Sequence, residues 1–129
     1  NASEFIATKE DDYASAVAQG GSNFSGGQKQ RLSIARAVAR DGEVMIFDDS
    51  FSALDYKTDR DVRAALRDAA AGATIIIVAQ RIGTVRNADK ILVVDKGRIV
   101  GAGTHDELFA SNPVYREIAL SQLSEEELA

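Results

Sequence analysis

The sequence predicts an α/β fold with at least one parallel crossover, and three features carry that expectation. The runs Val44–Phe47 and Thr74–Ala79 are apolar and rich in β-branched residues, as in strands buried between layers. Between them Val62, Ala65, Leu66 and Ala69 recur at i, i+3, i+4 and i+7, the period of one helix face. Gly42 and Gly72 punctuate the stretch where a helix must stop and a strand begin.

Taken in order, the first 24 residues are polar and glycine-dotted, with Phe5, Ile6, Tyr13 and Val17 as the sizeable apolar anchors. They predict a short helix followed by loop. From Ser25 the pattern changes: Gln28–Arg40, with Leu32, Ala35 and Ala39 at helical spacing, predicts an amphipathic helix capped by Ser25. Val44–Phe47 then reads as a strand ending in Asp48 and Asp49. On the second helix Arg60, Arg63 and Arg67, interleaved with Asp59, Asp61 and Asp68, read as a solvated face. Ile91–Val94 and Arg98–Val100 flank Asp95-Lys96-Gly97, a hairpin signal. The stretch from Thr104 to about Leu123 is helical in pattern, interrupted at Asn112-Pro113, and leads to the acidic run Glu125-Glu126-Glu127.

Composition narrows the function. At 129 residues the chain is shorter than the usual domain of about 150, which leaves room for a single core. A hydrophobic share of 45% with 27% charged residues is that of a folding chain, not a disordered one. Fifteen Lys and Arg against 20 Asp and Glu give a net charge of −5, the wrong sign for a dedicated nucleic-acid binder. With no cysteine there is no disulfide framework, thiolate metal site or cysteine nucleophile, and a single His excludes His-rich metal sites. The longest apolar stretch, Ala73–Ala79, is far below the roughly 18 residues of a membrane span. Asn1–Glu4 carries no signal-peptide pattern, and the missing initiator Met points to sequence upstream of Asn1.

Several patterns could hold a ligand. No P-loop is present: the spacing Gly21 to Gly26 continues as Gly27-Gln28 instead of Lys-Ser/Thr. Gly101-Ala102-Gly103 lacks the third glycine of a dinucleotide fingerprint, Asp106 standing there, and reads as a strand end with a turn. Ser25-Gly26-Gly27-Gln28 opening a helix has two readings. Either the helix N-terminus receives an anion such as a phosphate at a backbone bared by glycine, or this is only a capped helix after a loop. Likewise, Asp48 and Asp49 at the end of a strand either hold Mg²⁺ at the ligand-gathering edge of the sheet or form an acidic turn. Asp49 could act as a general base on an intervening water. His105 lies in Thr104-His105-Asp106-Glu107, which reads as a capping box and gives the His a structural role.

Together these residues resemble the ATP-binding cassette (ABC) transporter family. Asn23–Ala37 is similar to its signature motif and helix, Val44–Asp49 to its Walker B strand, and Ser52–Asp55 to its D-loop. Ile77–Arg81 sits at its switch-histidine segment, and Gly101–Leu108 resembles the tail of exporter-type members. Val17–Gly21 falls where exporters carry a loop that touches the membrane domain. The resemblance implies a RecA-like P-loop NTPase core, of which this chain is the C-terminal part, with part of the helical subdomain. Residues 1–40 would be the helical-subdomain segment and 41–129 the core segment; the Walker A and Q-loop regions are absent.

The resemblance further implies ATP and Mg²⁺ as cofactors and a second nucleotide-binding domain as partner. Ser25, Gly26, Gly27 and Gln28 would then contact the partner's ATP, Asp48 would hold Mg²⁺ through water, and Asp55 would couple the two sites. A transmembrane domain would be the other partner, placing the chain at the cytoplasmic face of the cell membrane. Two positions depart from the family pattern. The catalytic glutamate position holds Asp49, one methylene shorter, and the switch histidine position holds Gln80, which hydrogen-bonds but cannot become a cation. Together they resemble the degenerate subunit of heterodimeric ABC exporters, whose intact signature serves the competent site. The alternatives are an active homodimer with variant residues, a soluble ABC ATPase and a catalytically silent regulatory module. Transport specificity would lie in the membrane domain. The fragment alone is expected to be inactive and, with a bared sheet edge, to self-associate or exchange strands.

Overall fold

Val44–Asp48 (β1) and Thr74–Val78 (β2) lie side by side as parallel strands, with Val44 opposite Thr74 and Asp48 opposite Val78. This is the predicted crossover, and the connecting helix is Tyr56–Ala69 (α3). The computed structural model describes residues 2–122, so the run Glu125–Glu127 and Leu123 lie outside the described residues. The described chain forms two compact units that divide between Val78 and Ala79.

In the first unit, Ser3–Ile6 (α1) and two single 3₁₀ turns precede Gly26–Val38 (α2). Phe5 of α1 is buried, meeting Phe24 edge-on at 6.2 Å and lying under the Arg31 guanidinium at 4.8 Å. The core gathers Ile34 of α2, Met45 and Phe47 of β1, Phe51, Leu54, and Val62 and Leu66 of α3. Phe47 and Phe51 pack at 5.8 Å between ring centroids. Burying each of these large side chains contributes about 1.5–3 kcal/mol.

Three details of this unit differ from expectation. On α2 the buried face runs through Ile34 with Ala37 and Val38 against it, whereas Ala35 and Ala39 are exposed. Alanine fits either face of a helix, so the larger Ile34 decides which side turns inward. The strands were expected to be covered on both faces. Their inner residues Met45, Phe47, Ile75 and Ile77 face the core, but Val44 and Ile46 are 57% and 65% exposed, with Ile76 and Val78 beside them on the same face. Within this unit α2 and α3 line one side of the sheet only. Finally, the Arg stripe of α3 is not uniformly solvated: Asp59 is buried and pairs with Arg63 at 2.8 Å, one helical turn on. Arg60 and Asp61 pair at 3.3 Å in solvent, as expected of that face.

The second unit begins with the short helix Ile82–Val85 (α4) and the hairpin Ile91–Asp95 (β3) and Arg98–Gly103 (β4). Lys96 and Gly97 turn it with φ of 47° and 75°, both left-handed, as a two-residue hairpin loop demands. The hairpin follows the sequence expectation, and β4 ends at Gly103 as expected. The chain then passes through Thr104 directly into His105–Ser111 (α5) with no separate turn. Pro113–Gln122 (α6) starts at the proline, whose missing N–H is no loss in a first helical turn. Ile82, Ile91, Val93, Leu108, Tyr115 and Ala119 form the core of this unit.

Candidate phosphate-facing site

The N-terminus of α2 is built as the capping residues dictate. Ser25 is extended, with φ −67° and ψ 162°, and its hydroxyl accepts the Gln28 N–H at 3.2 Å. Gln28 Oε1 accepts the Ser25 N–H in return at 2.9 Å, closing a capping box. Gln28 therefore holds the helix start in shape through its side-chain carbonyl. Gly26 and Gly27 are the first residues of the helix, where N–H groups have no acceptor within the helix and the dipole is positive.

That helix start is seated on the loop after β1. Gly26 faces the Ala53 methyl and Gly27 faces the Ala53 carbonyl. Gln30, half-buried, spans the gap: its amide donates to the Asp49 carbonyl and to Ser52 Oγ, each at 3.1 Å, while its Oε1 accepts the Ala53 N–H at 2.9 Å. The sequence places Gln30 in the signature-like helix and Ser52 in the D-loop-like segment but gives neither a role of its own. The signal for Ser52 was its place three residues after Asp49, a spacing at which a hydroxyl reaches back to a carboxylate.

Asp48 ends β1 with an exposed side chain. Asp49 follows in the left-handed region at φ 47°, where Asp is among the few residues that sit without great cost. Its N–H donates to the Val78 carbonyl at 3.0 Å, and its carboxylate accepts the Ser52 hydroxyl at 3.0 Å. Two adjacent carboxylates supply hard oxygen donors that suit Mg²⁺ bound with waters and phosphate. Among the described residues no group of three such ligands forms a closed cage.

Asp55 caps α3. Its Oδ1 accepts the Thr58 N–H at 3.0 Å and its Oδ2 the Thr58 hydroxyl at 2.7 Å. Those bonds, the backbone one first, hold the carboxyl below its ordinary value of 3.8. Thus Ser25, Gly26, Gly27, Gln28, Asp48, Asp49 and Asp55 all belong to the first unit, in which Gln30, Ser52 and Ala53 join the helix start to the Asp49 loop. Gln80 belongs to the second unit, where its side chain is exposed and its carbonyl accepts the Gln122 amide at 2.9 Å.

His105 also lies in the second unit. It is buried at the start of α5, behind the expected capping box of Thr104 and Glu107. Its Nδ1 lies 2.8 Å from the Tyr115 hydroxyl and its ring stacks on Phe109 at 5.9 Å. Burial first, and then the Arg86 charge, push the imidazole below 6.5, with Asp106 opposing; burial also raises the Tyr115 phenol. Packing accounts for this histidine, as the sequence suggested.

The model of the ABC transporter family matches residues 3–52. An uncharacterized ABC transporter ATP-binding protein of Mycobacterium bovis is 56% identical over 112 residues, covering 87% of this chain and 19% of that protein. The ATP-dependent lipid A-core flippase of Mannheimia succiniciproducens is 40% identical over 124 residues, 96% of this chain and 21% of the flippase. A solved structure of a bacterial Atm1-family ABC exporter with ATP bound superposes with a TM-score of 0.89 at 36% identity, covering 95% of this chain and 22% of the exporter. The fold is accordingly the α/β, RecA-like P-loop fold of that exporter's nucleotide-binding domain. The chain spans about a fifth of the length of these relatives. No helix among the described residues is long and apolar enough to cross a membrane. With a capped, glycine-opened helix seated on the loop that follows paired carboxylates, and with these likenesses, the chain belongs to the ABC transporter family.

Proposed function

We propose that this chain is the C-terminal part of the nucleotide-binding domain of an ABC-type membrane exporter, at the cytoplasmic face of the membrane. Residues 1–40 are then the helical-subdomain segment and 41–129 the core segment, with the Walker A and Q-loop regions supplied by other sequence. The observation that carries the reading is the helix start at Ser25–Gly27, where the Gly26 and Gly27 N–H groups lie ahead of the helix's own hydrogen bonds, fixed to the loop after Asp48 and Asp49.

In this reading Ser25, Gly26, Gly27 and Gln28 face the phosphates of an ATP held by a second nucleotide-binding domain. Backbone N–H groups at a helix N-terminus stabilise negative charge there but provide no base. Asp48 holds Mg²⁺ through water; the ion, when bound, neutralises phosphate charge. Asp49 stands where a water is oriented for attack, and Gln80 beside the terminal phosphate. Asp55, preorganised by Thr58, lies at the interface between the two domains. Closure of the two domains on ATP then drives transport through the membrane domains.

The chain's own ATP site is degenerate and the transporter a heterodimer. Asp49 is short, left-handed in backbone and hydrogen-bonded to Ser52, so its carboxylate is held back toward its own loop. Gln80 cannot carry positive charge. The signature end remains intact and serves the partner's competent site. The chain by itself, lacking the segment that holds ATP, is inactive. ATPase of the complete transporter tests this: Asp49→Glu with Gln80→His raises turnover by adding a second competent site. If the wild type already hydrolyses at both sites and the double substitution changes nothing, the degenerate-site reading fails.

A further inference from the structure

We propose that Gln30 is a positioning residue that locks the phosphate-facing start of α2 to the Asp49–Ala53 loop, so that the two move as one body. Gln30 lies one turn inside the helix, and its side-chain amide spends all of its bonding on that loop. Nε2 donates to the Asp49 carbonyl and to Ser52 Oγ, and Oε1 takes the Ala53 N–H.

The consequence for Asp49 is specific. Its N–H is held by Val78 and its carbonyl by Gln30, so both peptide groups flanking a left-handed residue are pinned. The Ser52 hydroxyl lies 3.1 Å from the Asp49 carbonyl and 3.0 Å from its Oδ2. One hydroxyl proton serves one acceptor well. The charged carboxylate is the stronger acceptor, so that proton goes to it rather than to the neutral carbonyl. A chain of bonds thus runs from Gln30 through Ser52 to the Asp49 carboxylate. On its other side, the same amide fixes Ala53, on whose carbonyl Gly27 rests. Gln30 therefore sets the distance between Gly27 and Asp49 without touching a ligand at either.

This inference rests on the proposed role of Ser25–Gly27 in a partner's site, and steady-state ATPase of the complete transporter tests it with Gln30→Glu. Glutamate keeps the size and the acceptor for Ala53 but turns the donor to Asp49 and Ser52 into a repelling oxygen. At pH 8 the expected result is a kcat lower by about tenfold, as for a reacting group displaced by a fraction of an ångström, with the KM for ATP within about twofold. Lowering the pH to 5, toward the ordinary glutamate value of about 4.3, protonates part of the introduced carboxylate population and restores an O–H donor, so the ratio of wild-type to variant kcat narrows. A role in packing alone predicts no such pH dependence of the ratio. A wild-type kcat at pH 8, or a deficit that is the same at both pH values, overturns the proposal. Should Gln30→Glu not fold, Gln30→Asn, whose amide stops one methylene short of the Asp49–Ala53 loop, is measured instead; an unchanged kcat there overturns it equally. A wild-type transporter that hydrolyses no ATP sinks the functional reading itself, whereas an active wild type with indifferent variants sinks only the role of Gln30.

Discussion

Gly27 rests on the Ala53 carbonyl so closely that a Cβ in its place would come within 3.1 Å of that oxygen. The carbonyl has little room to retreat, because the Ala53 N–H is tied to Gln30. At Gly26 the nearest atom to a Cβ is the Ala53 methyl at 3.6 Å, an ordinary contact. The two glycines of the helix start therefore have different physical reasons to be there.

Gly27→Ala is expected to loosen the junction by about 1–3 kcal/mol through overpacking, while Gly26→Ala costs little because alanine also favours the helix. Hydrogen exchange of the α2 amides in the complete protein reads the difference. Equal protection in both variants would show that the loop yields freely.

In the second unit, Asn112 pins β4 to the start of α6: Nδ2 donates to the Val100 carbonyl and Oδ1 accepts the Tyr115 N–H, each at 2.9 Å. Gly101 lies directly under that amide, and an added Cβ would collide with it. Gly101→Ala should destabilise α5 and α6 by about 1–3 kcal/mol, seen as faster exchange at the Leu108 and Tyr115 amides. Unchanged exchange would mean that Asn112 reorients without cost.

Burial of His105 makes the same unit pH-sensitive. Folding lowers the imidazole pKa below 6.5, so the unfolded chain binds the proton more readily. Stability is complete above about 6.5 and is lost as pH falls through that value toward the lower folded pKa. Exchange protection across α5 and α6 should fall between pH 7.5 and 5.5 in the wild type and change less in His105→Gln. Identical pH dependence in the two would locate the sensitivity elsewhere.

The isolated chain should self-associate. Val44, Ile46, Ile76 and Val78 form an exposed apolar face on a parallel pair of strands, a sheet type that is normally covered on both sides. Light scattering of the chain alone is expected to show species larger than the monomer. A sharp monomer with a cooperative melt would contradict this.

The sequence made the elements legible where one physical signal dominated. Ser25 before a glycine pair, Thr104 three residues before Glu107 and the Lys96-Gly97 turn each dictate local geometry through their own bonds or dihedrals, and each appears as expected. The inward face of α2 was misread because alanines at 35 and 39 have no strong preference, and the weight of Ile34 shows only once β1 and α3 pack against it. Burial of Asp59 escaped for a similar reason: an acidic residue reads as solvated until its arginine partner is seen to share the burial. Gln30 was invisible in its role because its partners at 49, 52 and 53 are about twenty positions away, and nothing in a single sequence reports such a bond.

The measurement closest to the central claim is the number of ATP sites that turn over per complete transporter. On the proposed reading, trapping nucleotide during hydrolysis and counting it should give one trapped ADP per complete transporter, with the site that depends on Asp49 retaining ATP. Equal trapping at both sites would contradict the degenerate-site reading.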